Sequence, residues 1–178
     1  MAGAITRKQF LRGDFKNQHA PIRPPYAPGE MQFTEQCTSC AECINSCPEN
    51  ILINAPGNYP EVDFSKGECT FCFECVESCN DNILSLEEDL PPWHIKANIT
   101  DQCLVFKGVH CMICREQCEA DAFTFIPKVG RPPHPVLNSL LCNGCGACYQ
   151  PCPNHSIKLS YQNISESKND SCLRETAL

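Results

Sequence analysis

The sequence predicts an α+β fold made of two tandem modules, each built from short strands and one-turn helices. Two observations predict it. Cysteine occupies 17 of 178 positions, and sixteen of these cysteines form four sets whose first members are residues 37, 69, 103 and 142. The segments that flank the sets also repeat, and self-similarity at a fixed period takes precedence over local signals. Four repeats of this kind pair naturally into two modules.

The first set, CTSCAECINSCPEN at residues 37–50, has the spacing C-x2-C-x2-C-x3-C-P. Disulfides, zinc and iron–sulfur clusters could each use closely spaced thiols. Zinc sites usually pair two C-x2-C units that lie a dozen or more residues apart. Three thiolates at successive x2 spacings instead wrap the backbone around a larger group, and in two-cluster ferredoxins the fourth cysteine ligates the neighbouring cluster. The spacing therefore predicts 4Fe-4S clusters and modules of the two-cluster, bacterial ferredoxin type.

The N-terminal segment bears on the redox compartment. Residues 6–13, TRKQFLRG, are similar to a twin-arginine export motif with Arg7-Lys8, but the polar, proline-rich residues that follow do not form an apolar signal segment. We expect a cytoplasmic protein, where thiols stay reduced and disulfides are disfavoured. The N-terminal arm is either a mobile basic segment or an imitation of an export signal that a partner reads.

The other three sets extend the pattern. The second and fourth sets keep the first spacing, whereas the third widens its first gap to seven residues, from Cys103 to Cys111, and Cys172 belongs to no set. The crossed pattern of two-cluster ferredoxins assigns four ligands to each of four clusters. The predicted ligands are Cys37, Cys40, Cys43 and Cys79 for cluster 1; Cys69, Cys72, Cys75 and Cys47 for cluster 2; Cys103, Cys111, Cys114 and Cys152 for cluster 3; and Cys142, Cys145, Cys148 and Cys118 for cluster 4.

The segments between the sets predict the secondary structure and the domain limits. Each unit has the order strand, cluster loop, one helical turn, strand, with strand-like stretches at ILIN, ILSL, AFTFI and SIKLSY after the sets. A linker is predicted at Glu87 to Lys96, and the proline-rich stretch from Pro127 to Pro135 is predicted to be a loop inside the second module. The expected division is a flexible arm at 1–28, modules at 29–90 and 91–161, and a disordered tail at 162–178.

Composition excludes several classes of function. The net charge of −7 argues against nucleic-acid binding, and no apolar run approaches the roughly 18 residues of a membrane span. The five histidines are scattered and there is no phosphate-binding glycine loop, so we expect neither an enzyme nor a nucleotide site.

Residues near the cluster loops are expected to tune the clusters. Acidic residues should lower the reduction potentials of the first two clusters, Arg115 should raise that of the third, and two glycines should let backbone amides approach the sulfurs of the fourth. Three aromatic residues should shield clusters from water. These residues are Glu42, Glu74 and Glu77; Gly144 and Gly146; and Phe71, Phe73 and Tyr149.

The chain as a whole resembles the NapF family, the ferredoxin-type accessory proteins of the periplasmic nitrate reductase system. The similar features are the twin-arginine-like start, IRPPY, GNYPEVDF before ECTFCFEC, the widened third set, and LNSLLCNGCGACYQPCP. The resemblance implies a cytoplasmic protein that contacts the catalytic reductase subunit before export and helps it mature by supplying electrons or cluster material. The alternative is a general electron-transfer polyferredoxin that serves another redox enzyme.

Overall fold

The computed structural model describes residues 21–86 and 91–161. The predicted export-like motif at Arg7-Lys8, the predicted tail and Cys172 lie outside these residues. No helix in the described part of the chain is long and apolar enough to cross a membrane.

In residues 21–86, the first half contains three short helices and one two-stranded sheet. The helices are α1 (Glu30–Gln36), α2 (Glu42–Ser46) and α3 (Glu74–Glu77), and the strands are β1 (Leu52–Asn54) and β2 (Pro60–Val62). The strands pair antiparallel, with Leu52 opposite Val62. Alternation along β2 buries Val62 and leaves Glu61 half-buried, as expected for a strand with one face against a core.

In residues 91–161, the second half contains one helix and four strands. They are β3 (Ile95–Ile99), α4 (Ile113–Glu116), β4 (Phe123–Lys128), β5 (Arg131–Leu137) and β6 (Ile157–Tyr161). Strand β3 pairs antiparallel with β6, which brings the beginning and end of this half together, and β4 pairs with β5. This mixed arrangement of short strands and helices agrees with the predicted α+β class.

Three local predictions were wrong. The stretch ILSL forms no strand, although Ile83 and Leu84 are buried. The segment 127–135 is a β-hairpin and not a loop, with Gly130 at φ +69 in its turn. Its prolines are compatible with strand β5 because a two-stranded sheet leaves each strand with a free edge, where a missing N–H costs no ladder bond. The helical turns surround the third cysteine of a set and end before the fourth, so they lie inside the cluster loops, whereas the predicted order places them after the loops.

The second part of the predicted linker, residues 91–96, is packed against the core. Residues 87–90 lie outside the described residues, but Trp93 and Ile95 are only 5% and 0% exposed. The apolar side chains at the end of this segment therefore belong to the core, and β3 begins within the predicted linker.

The segment from Ile22 to Tyr26 is packed, in contrast to the predicted flexible arm over residues 1–28. Arg23 is 7% exposed, donates two hydrogen bonds to the Glu30 carboxylate at 2.7 and 2.6 Å, and donates another to the Pro60 carbonyl at 3.0 Å. The backbone N–H of Arg23 also contacts the Tyr161 hydroxyl at 3.3 Å. A buried guanidinium needs such partners, so this contact set fixes the segment against both halves of the chain.

The apolar interior is divided into two small groups, and cysteines belong to both. The larger group contains Phe33, Phe64 and Trp93 together with Cys43 and Cys75. The smaller group contains Phe123 and Ile157 with Cys142 and Cys148. Thiols thus occupy positions that aliphatic side chains would fill in an ordinary core.

Candidate metal centres

Four cavities are lined by four cysteines each, and each cavity combines three cysteines of one set with one from another. We number them as sites 1 to 4. Site 1 contains Cys37, Cys40, Cys43 and Cys79; site 2 contains Cys47, Cys69, Cys72 and Cys75; site 3 contains Cys103, Cys111, Cys114 and Cys152; site 4 contains Cys118, Cys142, Cys145 and Cys148. These groups have the same members as the predicted ligand sets. That they bind clusters remains a proposal, taken up below.

The donor sets fit a group larger than one ion. The sixteen described cysteines are free thiols, so no disulfide uses them. Among the described residues, no group of three or more His, Cys, Asp or Glu side chains is arranged to hold a single metal ion. A zinc ion would draw its four sulfurs to about 2.3 Å from one point. The described cysteines do not converge on one point in this way, and each group of four instead lines a cavity.

Left-handed backbone residues explain how three of the cysteine loops wrap around their cavities. In the first, second and fourth sets, the second and fourth residues after the first cysteine have positive φ. The pairs are Ser39 and Ala41 at 59 and 65°, Phe71 and Phe73 at 54 and 67°, and Gly144 and Gly146 at 78 and 88°. Such alternation makes a concave nest of N–H groups that suits an anionic partner. This recurrence gave no obvious sequence signal, because only the fourth set uses glycine.

The third set is built differently. Its helix follows Met112 at φ −132, so it lacks the left-handed residue that stands at this place in the other sets. The inserted residues form consecutive turns, with the N–H of Phe106 bonded to the Cys103 carbonyl at 3.0 Å and that of Val109 to the Leu104 carbonyl at 2.9 Å. This compact loop brings Cys103 back to site 3, which contains the other three predicted ligands.

Burial strongly affects the third cysteine of every set. The pKa of this thiol is raised to about 12 at Cys43, Cys75, Cys114 and Cys148. Burial is the largest cause, and the neighbouring sulfurs are the next. Without a cation these thiols therefore stay protonated at neutral pH. Metal binding requires thiolates, so loading of the sites must release protons.

The fourth cysteines of the third and fourth sets, Cys118 and Cys152, accept hydrogen bonds at sulfur. The Ala122 N–H contacts Cys118 Sγ at 3.4 Å, and the Ser156 N–H and hydroxyl contact Cys152 Sγ at 3.3 and 3.2 Å. Burial acts to raise the pKa of Cys152, but the bonds from Ser156 and neighbouring backbone groups outweigh it and lower this pKa. Ser156 is 2% exposed, and sequence reasoning did not single it out as a site residue.

The predicted tuning residues have different surroundings. Glu42, Glu74, Glu77 and Arg115 are exposed, so water and salt screen their charges. The predicted glycines have a second role besides the approach of amides to sulfur: a Cβ at Gly144 would lie 2.6 Å from the Ile95 carbonyl, and a Cβ at Gly146 would lie 2.1 Å from the Phe64 ring.

Two of the three predicted shielding aromatics pack in one cluster of rings. Phe71 meets Trp93 with ring centroids 6.0 Å apart, and Tyr149 meets Phe64 at 6.5 Å. Phe73 is 39% exposed and contacts Tyr26 at 5.8 Å. The cluster joins the two halves of the chain, a role that the sequence analysis did not assign to it.

Comparison with known families defines the class of the protein. A family model described as a 4Fe-4S dicluster domain matches residues 31–80, and one described as a 4Fe-4S binding domain matches residues 135–158. Together with the cysteine-lined cavities, these matches define an iron–sulfur protein of the ferredoxin type. Neither match includes residues 103–118, where the third set departs from the common spacing.

Similarity over nearly the whole chain identifies the family. The chain is 38% identical over 156 residues to the ferredoxin-type protein NapF of Escherichia coli K12, covering 88% of this chain and 94% of that protein. It is 39% identical to the NapF protein of Haemophilus influenzae over 166 residues, with the same coverage of each chain. The chain belongs to the NapF family of ferredoxin-type proteins.

A more distant similarity connects the chain to another redox system. It is 28% identical over 172 residues to the methylamine utilization ferredoxin-type protein MauM of Methylobacillus flagellatus, covering 85% of this chain and 72% of that protein.

Proposed function

We propose that this chain is a cytoplasmic iron–sulfur accessory protein that binds the catalytic subunit of a periplasmic nitrate reductase before export. It assists maturation of that subunit by supplying electrons or cluster material, and it performs no catalysis of its own. Membership of the NapF family is the observation that carries this proposal.

The four cysteine-lined cavities favour the proposal that the chain binds four 4Fe-4S clusters, arranged as two tandem two-cluster modules. Bound clusters would add and give up single electrons at potentials that charge, hydrogen bonds to sulfur and solvent tune. The chain's own residues hold the thiols in place, and burial of Cys43, Cys75, Cys142 and Cys148 limits access of water to sites 1, 2 and 4. Cys40 and Cys72 are exposed, so sites 1 and 2 each have a face toward solvent where a partner could exchange electrons.

An anaerobic binding experiment tests the proposal. The loaded protein is mixed with a reductase catalytic subunit, either with or without that subunit's own cluster, and iron is counted on both proteins after separation. We expect a complex with the subunit, followed by gain of reductase activity. Electron supply leaves the iron count of this chain unchanged, whereas cluster supply lowers it by about four per cluster transferred. Absence of both binding and activation would contradict the maturation role.

The packed segment changes how the N-terminal arm should be tested. Because Ile22 to Tyr26 contact the rest of the protein, deletion of residues 1–28 would remove the structural bonds of Arg23 along with the arm. A deletion of residues 1–20 keeps these bonds. If the shorter deletion retains binding and activation, the arm is not the element that the reductase recognises.

A general electron-transfer polyferredoxin is the alternative. The similarity to MauM proteins favours it, because a ferredoxin-type protein named for methylamine utilization is 28% identical to this chain over 172 residues. Under this alternative, the loaded chain would reduce unrelated acceptors at comparable rates and would show no preference for the reductase subunit.

A further inference from the structure

Sites 2 and 4 meet where the two halves of the chain touch. The backbone N–H of Cys69, which lines site 2, donates a 2.8 Å hydrogen bond to the carbonyl of Cys145, which lines site 4. The indole N–H of Trp93 donates a 2.9 Å bond to the adjacent Asn143 carbonyl. A single peptide hydrogen bond therefore joins two residues whose side chains belong to different sites in different halves.

The side chains around this hydrogen bond are densely packed and hold the two halves of the chain together. Phe64 and Trp93 are each 5% exposed, and their rings meet with centroids 5.9 Å apart. The Gly146 Cα presses so closely against Phe64 that a Cβ would lie 2.1 Å from the ring. Phe64 belongs to the first half and Gly146 to the second, so dense packing holds Cys69 and Cys145 in register.

Sites within each half are joined by exchanged cysteines. In the first half, Cys47 follows the loop of site 1 but lines site 2, and the hydroxyls of Ser46 and Ser78 meet at 2.9 Å between the two helices. In the second half, Cys118 follows the loop of site 3 but lines site 4, and Cys152 makes the reverse exchange. Sites 1 and 2 are therefore neighbours, as are sites 3 and 4.

We propose that electrons cross between the two halves through the Cys69–Cys145 contact, so that the four sites form one line in the order 1, 2, 4, 3. This inference rests on the proposed function, because it requires clusters in the sites. At the crossing, a one-electron oxidation at site 2 is matched by a one-electron reduction at site 4, or the reverse, and no proton or further reactant is needed. The order differs from the order along the chain, in which site 3 would follow site 2.

Double variants that each disable two of the four sites test the order. The variant Cys40→Ala/Cys111→Ala disables sites 1 and 3 and leaves sites 2 and 4. Its matched control, Cys40→Ala/Cys145→Ala, disables sites 1 and 4 and leaves sites 2 and 3. Each should contain about eight irons after anaerobic loading. After reduction with dithionite, paramagnetic resonance should show spin–spin coupling in the first variant and two uncoupled signals in the control. Uncoupled signals in the first variant, or coupling in the control, would overturn the order.

Hydrogen exchange on the unsubstituted, loaded protein provides a second measurement if either variant fails to fold. The Cys69 amide should exchange at least a hundred times more slowly than in an unstructured peptide, and a Trp93→Phe substitution should speed its exchange. Exchange at the unstructured rate would overturn the crossing point. Neither measurement uses the reductase. If the order of sites is refuted while the iron content is normal, the maturation role is unaffected. If the protein fails to bind the reductase subunit, the order of sites is unaffected.

Discussion

Substitution of Cys118 distinguishes exchanged ligands from sets that each hold their own cluster. Cys118 is four residues after Cys114, yet it lines site 4 with Cys142, Cys145 and Cys148. A 4Fe-4S cluster that lacks one of its four thiolate ligands is expected to be lost or damaged, which removes up to about four irons per chain. The single variant Cys118→Ala lowers the iron count under either arrangement, so the informative quantity is its combination with a second substitution.

Two double variants give opposite results under the two arrangements. If Cys118 serves site 4, Cys118→Ala/Cys145→Ala disables one site and loses about four irons, whereas Cys118→Ala/Cys111→Ala disables two sites and loses about eight. If each set holds its own cluster, these losses are interchanged. Independent sites add and shared sites do not, which is the logic of a double-mutant cycle.

Iron and acid-labile sulfide per chain, measured after anaerobic purification, provide the assay, with Mössbauer spectra to detect partial clusters. Single variants at Cys111 and Cys145 complete the cycle. A loss of about eight irons in Cys118→Ala/Cys145→Ala, with about four in the other double variant, would refute the exchange of ligands.

Other perturbations test the scaffold. Arg23→Ala should reduce the free energy of unfolding by about 2–4 kcal/mol, because it leaves the Pro60 carbonyl and part of the Glu30 carboxylate without a partner. Arg131 is exposed, so the control variant Arg131→Ala should cost less than about 0.5 kcal/mol. Anaerobic denaturant titration measures the free energy of unfolding of both variants. Gly146→Ala should destabilise the protein by about 1–3 kcal/mol more than Gly108→Ala: both positions have φ near +85, at +88 and +85, but only Gly146 faces a ring within 4 Å. Chelation of iron should abolish most far-ultraviolet circular dichroism, since metal binding and folding are coupled, and a native-like apo spectrum would contradict this.

The cysteine loops could be predicted from the sequence, whereas most of the contacts around them could not. Cysteine spacing is a local property, so the loops that hold Cys37, Cys69 and Cys142 could be recognised without knowledge of the fold. The exchange of Cys47 and Cys79 between sites followed from the repeat. In the structure Cys47 lines the cavity of the second set and Cys79 lines that of the first. Whether the four sites hold clusters remains a prediction.

The errors concern contacts between distant parts of the chain. Pro132 and Pro135 indicated a loop because sequence alone does not reveal that β5 has a free edge for residues without an N–H. Arg23 lies in a polar, proline-rich segment, and only the folded chain brings Glu30 and the Pro60 carbonyl to it. Trp93 lies between prolines and charges, and its burial depends on Phe64 and Phe71 from another segment.

The glycines of the fourth set show how one residue meets two requirements. The sequence analysis explained Gly144 and Gly146 by the approach of backbone amides to sulfur. The structure adds a positive φ at each position. It also adds a close contact of Gly144 with Ile95 in the same half and a close contact of Gly146 with Phe64 in the opposite half. The equivalent places in the first set hold Ser39 and Ala41, which adopt the same left-handed backbone with a side chain. Close packing against Ile95 and Phe64 therefore accounts for glycine at these two positions of the fourth set.

Iron and acid-labile sulfide content after strictly anaerobic purification tests the central claim most directly. The account predicts a brown protein with about sixteen irons and about sixteen sulfides per chain, four of each at every cysteine-lined site. A folded, colourless protein with zinc or disulfides at these cysteines would contradict it, and a count near twelve would show that site 3 does not hold a complete cluster.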